Sequence, residues 1–138
     1  MSDYLLDTNI LIHYYRKEKG YRDLVRNLER DGELCISAVT RIEIVRGMRD
    51  HERESTFQLL NSMETLNVTS EVADSTGEIV RTWKAKGFTL GDADAIIAAT
   101  ALQHSLTLVT TNPKHFPMPE LSILQADELG NLSPYKSP

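Results

Sequence analysis

Tyr-Leu-Leu-Asp-Thr-Asn, at positions 4–9, is the stretch from which the fold of this 138-residue chain can be worked out. A short apolar run that ends abruptly in polar residues is typical of a buried strand in a parallel sheet. An amphipathic helical pattern follows directly from Ile10. Because ligands of such sheets bind beyond the carboxyl ends of the strands, Asp7 is predicted at the functional edge. The structural alternative is that Asp7, Thr8 and Asn9 only close a turn and cap a helix.

The composition predicts one globular domain of ordinary size. Hydrophobic residues make up 41% of the chain and charged residues 25%, which are common values for soluble proteins. We assign residues 1–130 to a single domain and interpret residues 131–138, which are rich in polar residues and proline, as a flexible tail.

The charge and the cysteine content narrow the classes of function. The net charge of −5 excludes a globally basic surface for nucleic acid, so a nucleic-acid substrate would require metal ions or a local basic face. Cys35 is the only cysteine, which excludes an intrachain disulfide and favours the cytoplasm. Acidic residues interrupt the first apolar positions, and no apolar run is long enough to cross a bilayer. We therefore expect neither a signal peptide nor a membrane segment.

Strand and helix patterns alternate along the chain. Further strands are predicted at 34–37, 66–68, 107–110 and 121–124. Helices are predicted at 10–18, 52–64, 70–87 and 93–104, with one more before and one more after the second strand. In the helix after the second strand, Thr40 and Glu43 match a capping box. The alternation predicts a three-layer α/β/α fold around a central parallel sheet of about four or five strands.

Polar side chains recur where these strands end, and parallel strands end at one edge. The set comprises Asp7, Ser37 with Glu43 in the following helix, Asp92 and Asp94 at the start of the most apolar helix, and Thr110 with Asn112. Each has a structural alternative. Ser37 and Asn112 are good helix caps, Glu43 fits the capping box, and Asp92 and Asp94 suit the dipole of a helix N-terminus.

Asp94 gives the strongest indication of a site. The sequence Asp94-Ala-Ile-Ile-Ala-Ala predicts a buried helix, and buried carboxylates are rare unless they are paired or bind metal. Acids that converge without a basic partner are usually neutralised by a hard divalent cation such as Mg²⁺ or Mn²⁺. Such ions stabilise the charge that develops in phosphoryl transfer and activate water.

Four motifs in order resemble those of PIN domains, most closely the VapC toxins of prokaryotic toxin–antitoxin pairs. They are Leu6-Asp7-Thr8-Asn9, Ser37 with Glu43-x-x-x-Gly47, Asp94-Ala-Ile-Ile-Ala-Ala, and Leu108-Val-Thr-Thr-Asn112-x-x-x-Phe116. The resemblance, which spans residues 4–116, implies a PIN-like fold in which Asp7, Glu43 and Asp94 hold Mg²⁺ or Mn²⁺ for RNA cleavage. It also implies a homodimer that a cognate antitoxin protein inhibits, and a structured transfer RNA as the substrate.

Two positions depart from the family pattern. Many members have a fourth acid where this chain has Asn112, which leaves open whether one or two ions bind. Asp92 is an extra acid two residues before the family position. Because residues two apart on a helix point to different sides, we predict that Asp94 faces the metal and that Asp92 serves the helix dipole or the outer shell.

The resulting hypothesis is a metal-dependent endoribonuclease. Asp7, Glu43 and Asp94 hold the ion, Asn112 takes part in catalysis, and Asn9, Ser37, Asp92 and Thr110 support the site. One alternative is a PIN-fold module that binds RNA or protein without catalysis. A second is a phosphatase of the haloacid dehalogenase type, which would need an acid two residues after Asp7, where this chain has Asn9.

Overall fold

The central sheet has six strands, five of them parallel. A computed structural model describes residues 3–136. In sheet order the strands are β3 (Glu64–Leu66), β2 (Leu34–Ser37), β1 (Tyr4–Leu6), β4 (Thr107–Thr110), β5 (Ile123–Ala126) and β6 (Leu132–Tyr135), of which only β6 is antiparallel to its neighbour. This confirms the predicted class of fold with a mainly parallel sheet, but the number of strands is six rather than four or five.

Helices cover both faces of the sheet, as the apolar strands require. They are α1 (Thr8–Tyr15), α2 (Tyr21–Asp31), α3 (Ala38–Gly47), α4 (Arg53–Asn61), α5 (Ser70–Ala85) and α6 (Asp92–Gln103), with short 3₁₀ helices at Asp50–Glu52 and Pro113–His115. On one face Leu6 packs with residues of α1, α2 and α4, and on the other face Leu5 packs with the alanines of α6. No helix within residues 3–136 has the length and apolarity needed to span a bilayer.

The edge of the sheet that carries the polar residues is fixed by the parallel register. Leu6 lies opposite Val109, and the backbone N–H of Asp7 donates to the Val109 carbonyl at 2.9 Å. Strands β1 and β4 therefore end side by side, which places Asp7 next to Thr110. Strand β2 runs parallel to β1 on its other side and leads through Ser37 into α3.

The predicted flexible tail is wrong for four of its residues. Leu132–Tyr135 form β6, whose backbone pairs with β5, while Ser137 and Pro138 lie outside the described residues. Pro134 argues against a strand when the sequence alone is considered, because proline has no backbone N–H to donate. An edge strand nevertheless tolerates such a residue. Leu132 and Tyr135 pack against opposite core clusters, one on each face of the sheet.

Two glycines allow the β5–β6 turn to pack on the loop before α2. Gly20 and Gly130 have φ values of +88° and +76°, in the left-handed region that favours glycine. A Cβ on Gly20 would lie 1.6 Å from the Leu129 carbonyl oxygen. The hydroxyl of Tyr21 adds a hydrogen bond to the Asp127 carbonyl at 2.9 Å.

Several predicted helix and strand boundaries also need correction. Helix α3 begins at Ala38 with Ser37 as its cap, whose hydroxyl accepts from the Val39 N–H at 3.1 Å. Thr40 therefore lies inside the helix, and the predicted capping box of Thr40 with Glu43 does not form. Strand β3 lies at 64–66 rather than 66–68, because a half-exposed edge strand needs no continuous apolar run.

Candidate active site

Asp7 is buried at the end of β1, and its carboxylate is satisfied by neutral donors. Its side chain is 5% exposed. Oδ1 accepts from the backbone N–H of Thr8 at 2.8 Å, and Oδ2 accepts from the Thr110 hydroxyl at 2.7 Å and from Asn9 Nδ2 at 3.2 Å. Asp7 is thus the cap of α1, as the structural alternative required, and it is also held from β4 across the sheet.

The segment after β4 organises the same carboxylate from the other side. The Thr110 hydroxyl accepts from the N–H of Asn112 at 3.0 Å while it donates to Asp7. The Asn9 side chain accepts from the N–H of Thr111 at 3.3 Å. The Asn112 side chain is exposed at this edge and does not cap the 3₁₀ helix that follows.

Glu43 reaches the site from α3. Its Oε1 accepts from the Thr8 hydroxyl at 2.6 Å, and its Oε2 lies 3.9 Å from Arg46, whose side chain is 71% exposed. The Thr8 hydroxyl is also 3.1 Å from the buried Thr40 hydroxyl. Thr8 therefore links Glu43 to the turn that carries Asp7.

The first turn of α6 supplies the third carboxylate. Asp94 is half-buried, and its Oδ2 lies 3.4 Å from Nδ1 of His115 in the second 3₁₀ helix. Asp92 is exposed, at the first position of the same helix. The two acids thus differ in environment, as two positions on different sides of a helix should.

Burial and mutual repulsion act on the acids together. Burial raises the pKa of Asp7 above its ordinary value against the hydrogen bonds from Thr110 and Thr8, and the charges of Asp94 and Glu43 raise it further. Burial also raises the pKa of Asp94, His115 opposes this, and Glu43 adds to it. Asp7 and Asp94 therefore both lie close enough to other acids for a like charge to disfavour their ionised forms.

The donor set suits a hard divalent cation, although the carboxylates are not closed around one point. Among residues 3–136, no three side chains of His, Cys, Asp or Glu already form a group that could hold an ion. Oxygen ligands with mutual repulsion are nevertheless the chemistry that Mg²⁺ and Mn²⁺ prefer, and Mg²⁺ commonly binds through one or two carboxylates and keeps several waters. The residues present fit such an ion.

Ser37 differs from the other predicted site residues. Its side chain is fully buried and its hydroxyl caps α3, so its contribution is to place the start of the helix that carries Glu43. Three residues at the site were not predicted to belong to it: Thr8, Thr40 and His115. The spacing offered no signal for them, because their contacts bridge segments that are distant in sequence.

Comparisons with known proteins identify the family of this chain. The sequence profile of the PIN domain matches residues 4–118. The chain belongs to the PIN-domain family. Ribonuclease VapC10 of Mycobacterium tuberculosis is 36% identical over 114 residues, which cover 83% of this chain and 86% of that protein. The chain is thus a VapC-like member, and the suspected resemblance to this family is confirmed.

Two further proteins extend the comparison. The tRNA(fMet)-specific endonuclease VapC of Shigella flexneri is 28% identical over 121 residues, covering 84% of this chain and 91% of that protein. A chain of a toxin–antitoxin complex from Klebsiella pneumoniae superposes with a TM-score of 0.68 and 31% identity, over 81% of this chain and 88% of that chain. Because the chain matches the PIN domain, the alternative of a phosphatase of the haloacid dehalogenase type is rejected.

Proposed function

We propose that this PIN domain is a divalent-metal-dependent endoribonuclease that acts as the toxin of a VapC-type toxin–antitoxin pair. The observation that carries the proposal is the convergence of Asp7, Glu43 and Asp94 at one edge of the sheet, where the charges of Glu43 and Asp94 add to the effect of burial in raising the pKa of Asp7. The 36% identity to ribonuclease VapC10 supports the same reaction.

In the proposed site, Asp7, Glu43 and Asp94 hold Mg²⁺ or Mn²⁺. When bound, the cation supplies positive charge that stabilises the phosphoryl transition state and lowers the pKa of water. The protein contributes orientation: Thr110 and Asn9 donate neutral hydrogen bonds to Asp7 and so fix it without cancelling its charge. Hydrolysis adds water across a P–O bond of RNA and yields a phosphate monoester and a free hydroxyl.

Asn112 and Asp92 have lesser parts in this proposal. Asn112 is exposed beside the Thr110–Asp7 hydrogen bond, and we assign it to orientation of water or substrate. Asp92 is exposed in the first turn of α6, so we assign it to the dipole of that helix. The expected result is that Asp94→Ala abolishes cleavage whereas Asp92→Ala keeps at least about a third of the rate; equal losses would place both carboxylates in the site.

The substrate that we propose is a structured transfer RNA, in line with the name of the Shigella flexneri relative. Transfer RNA would place the protein in the cytoplasm. The test is to incubate purified protein with total transfer RNA in Mg²⁺ or Mn²⁺, with and without excess chelator, and to sequence the new RNA ends. We expect defined ends that chelator abolishes.

Asp7→Asn is the variant that tests catalysis against the alternative of a binding module. It removes the charge and keeps the size of the side chain, so we expect a folded protein with cleavage reduced at least 100-fold. Far-UV circular dichroism checks the fold. Cleavage by folded Asp7→Asn at the wild-type rate would refute the metal site, and RNA binding without cleavage by the wild type would favour the non-catalytic module.

The partners that we propose are a second copy of this chain and a cognate antitoxin. Similarity to the toxin–antitoxin complex from Klebsiella pneumoniae supports the antitoxin. A groove of about 440 Å³ beside Glu43, between α1, α3 and α4, has a mixed lining in which Ile12, Ile44 and Leu59 lie near charged residues, and we propose it as a contact surface for the antitoxin. Light scattering of the free protein at micromolar concentration should give a dimer mass, and a strictly monomeric mass would contradict that part of the proposal.

A further inference from the structure

We propose that Thr8 is a positioning residue that sets the separation of Asp7 and Glu43 and thereby the affinity of the site for a divalent cation. This inference rests on the metal-dependent function proposed above. Thr8 itself touches neither ion nor substrate in this proposal, because it acts through the two carboxylates.

Thr8 is joined to both acids by short hydrogen bonds. Its backbone N–H donates to Asp7 Oδ1 at 2.8 Å, and its hydroxyl donates to Glu43 Oε1 at 2.6 Å. Asp7 ends β1 and Glu43 lies within α3, so the two acids come from segments that are far apart in sequence. One residue, 9% exposed at the start of α1, therefore fixes one oxygen of each carboxylate.

The Thr8 hydroxyl has two acceptors within reach. It can donate to Glu43 Oε1 at 2.6 Å or to Thr40 Oγ1 at 3.1 Å. A hydroxyl has one proton, so it makes one of these hydrogen bonds at a time. The carboxylate is the closer acceptor and the stronger one, because a hydrogen bond to a charged group exceeds a neutral one, and the Thr8 proton is therefore assigned to Glu43.

Without the Thr8 hydroxyl, little else would hold Glu43 toward the site. Arg46 is 3.9 Å from its other oxygen and is mostly exposed, and such surface pairs hold a side chain weakly. The Glu43 side chain is itself 25% exposed, so it could rotate outward and take water as its partner. A cation would then have to draw it back at a cost in affinity.

Thr8→Val tests the hydroxyl with almost no change of shape. Loss of a hydrogen bond that orients a metal ligand typically costs about 10–100-fold in affinity, so we expect Mn²⁺ to bind at least about 10-fold more weakly. Thr8→Ser keeps the hydroxyl and should bind within about threefold of wild type. Thr100→Val is the matched control, because it removes a buried hydroxyl of α6 that bonds only the Ile96 carbonyl, at 2.7 Å.

Mn²⁺ is titrated into the metal-free full chain. Binding is measured by isothermal calorimetry and by the electron paramagnetic resonance signal of free Mn²⁺. Circular dichroism establishes that each variant is folded, and Thr8→Ala replaces Thr8→Val if the latter is unstable. The Mn²⁺ concentration for half-maximal RNA cleavage should rise by the same factor, with the maximal rate within a few-fold of wild type. A purely structural role would lower the rate without moving that concentration.

Two results would overturn the inference. One is a folded Thr8→Val protein that binds Mn²⁺ within twofold of wild type. The other is equal weakening in Thr8→Ser and Thr8→Val, which would assign the effect to side-chain shape. Failure of the wild type to bind Mn²⁺ or to cleave RNA would instead refute the proposed function, so the two failures are distinguishable.

Discussion

Replacing Asp94 by Asn should stabilise the metal-free protein, which is an unusual outcome for a residue proposed to be essential. Burial and the charge of Glu43 raise the pKa of Asp94, and only His115 opposes them. The native state therefore holds a proton on Asp94 more tightly than the unfolded chain does. Stability is fully present below the ordinary Asp pKa and is lost as pH rises through the raised pKa. At pH 7 the amide avoids this loss.

The structure sets the size of the gain. Repulsion between like charges in a partly solvated site costs about 1–4 kcal/mol, and the 31% exposure of the Asp94 side chain favours the lower half, about 2 kcal/mol. Losing the exposed contact with His115 reduces this gain by about 0.5 kcal/mol. Losing a favourable charge in the first turn of α6 reduces it by a similar amount, about 0.5 kcal/mol. The net gain is about 1 kcal/mol, a rise of roughly 3–4 °C in Tm for a chain of this length.

Mn²⁺ should reverse the order of stability. A ligand at 100 times its Kd stabilises the native state by about 2.7 kcal/mol, which corresponds to roughly 8–10 °C here. The wild type should gain this and Asp94→Asn little of it. Thermal unfolding by circular dichroism at pH 7, in excess chelator and in millimolar Mn²⁺, measures both effects.

The exposed neighbour Asp92 supplies the matched control. Asp92→Asn should lower Tm by only about 1–2 °C in chelator, through loss of a favourable charge in the first turn of α6, and should keep the full response to Mn²⁺, since the side chain lies in solvent. If Asp94→Asn were instead less stable than wild type in chelator, and neither protein responded to Mn²⁺, Asp94 would be a helix-dipole residue and the metal site would be refuted.

Two further predictions concern how the site and the fold are held. Thr110→Val removes the 2.7 Å hydrogen bond to buried Asp7 and should cost about 2 kcal/mol at pH 7 in chelator; the loss shrinks as pH falls and Asp7, whose pKa is raised, becomes protonated. Urea unfolding at a series of pH values from 7 into the acid range measures it, and a loss that does not change with pH would contradict the assignment. A Cβ on residue 20 would collide with the Leu129 carbonyl, and the left-handed backbone of Gly20 is one that alanine disfavours. Gly20→Ala should therefore lower Tm by roughly 10 °C, about 3 kcal/mol. Gly77→Ala, on an open face of α5, should leave Tm unchanged or raise it.

The interior of the fold was predictable because its signals are local. Strands β2 and β4 lie at the predicted residues 34–37 and 107–110, since buried parallel strands are continuous apolar runs. Helix α6 begins within one residue of its predicted start. The outer strands were misplaced or missed because β3 is half-exposed and β6 contains Pro134, so neither shows the apolar pattern that identifies a buried strand.

The site followed the same division. The sequence predicted that Asp7 and Thr110 share one edge of the sheet, because parallel strands end at a common edge. That they are neighbours depends on the pairing of β1 with β4, which the sequence did not predict. The contacts of Thr8 with Glu43 and of His115 with Asp94 could not be predicted either, since each depends on how a helix is rotated against its neighbour. Sequence periodicity says which face of a helix is apolar, but not which polar atom meets another.

Pro134 limits further backbone pairing at the edge of the sheet formed by β6. Strand β6 is the last strand on its side and has four residues, with a proline third among them. A chain that tried to extend the sheet by backbone pairing would meet a strand that lacks one of its amide hydrogens. The opposite margin, β3, has only three residues. Assembly with another protein is therefore expected to use helix faces and grooves, and the folded domain is expected to resist the edge-to-edge pairing by which sheets polymerise.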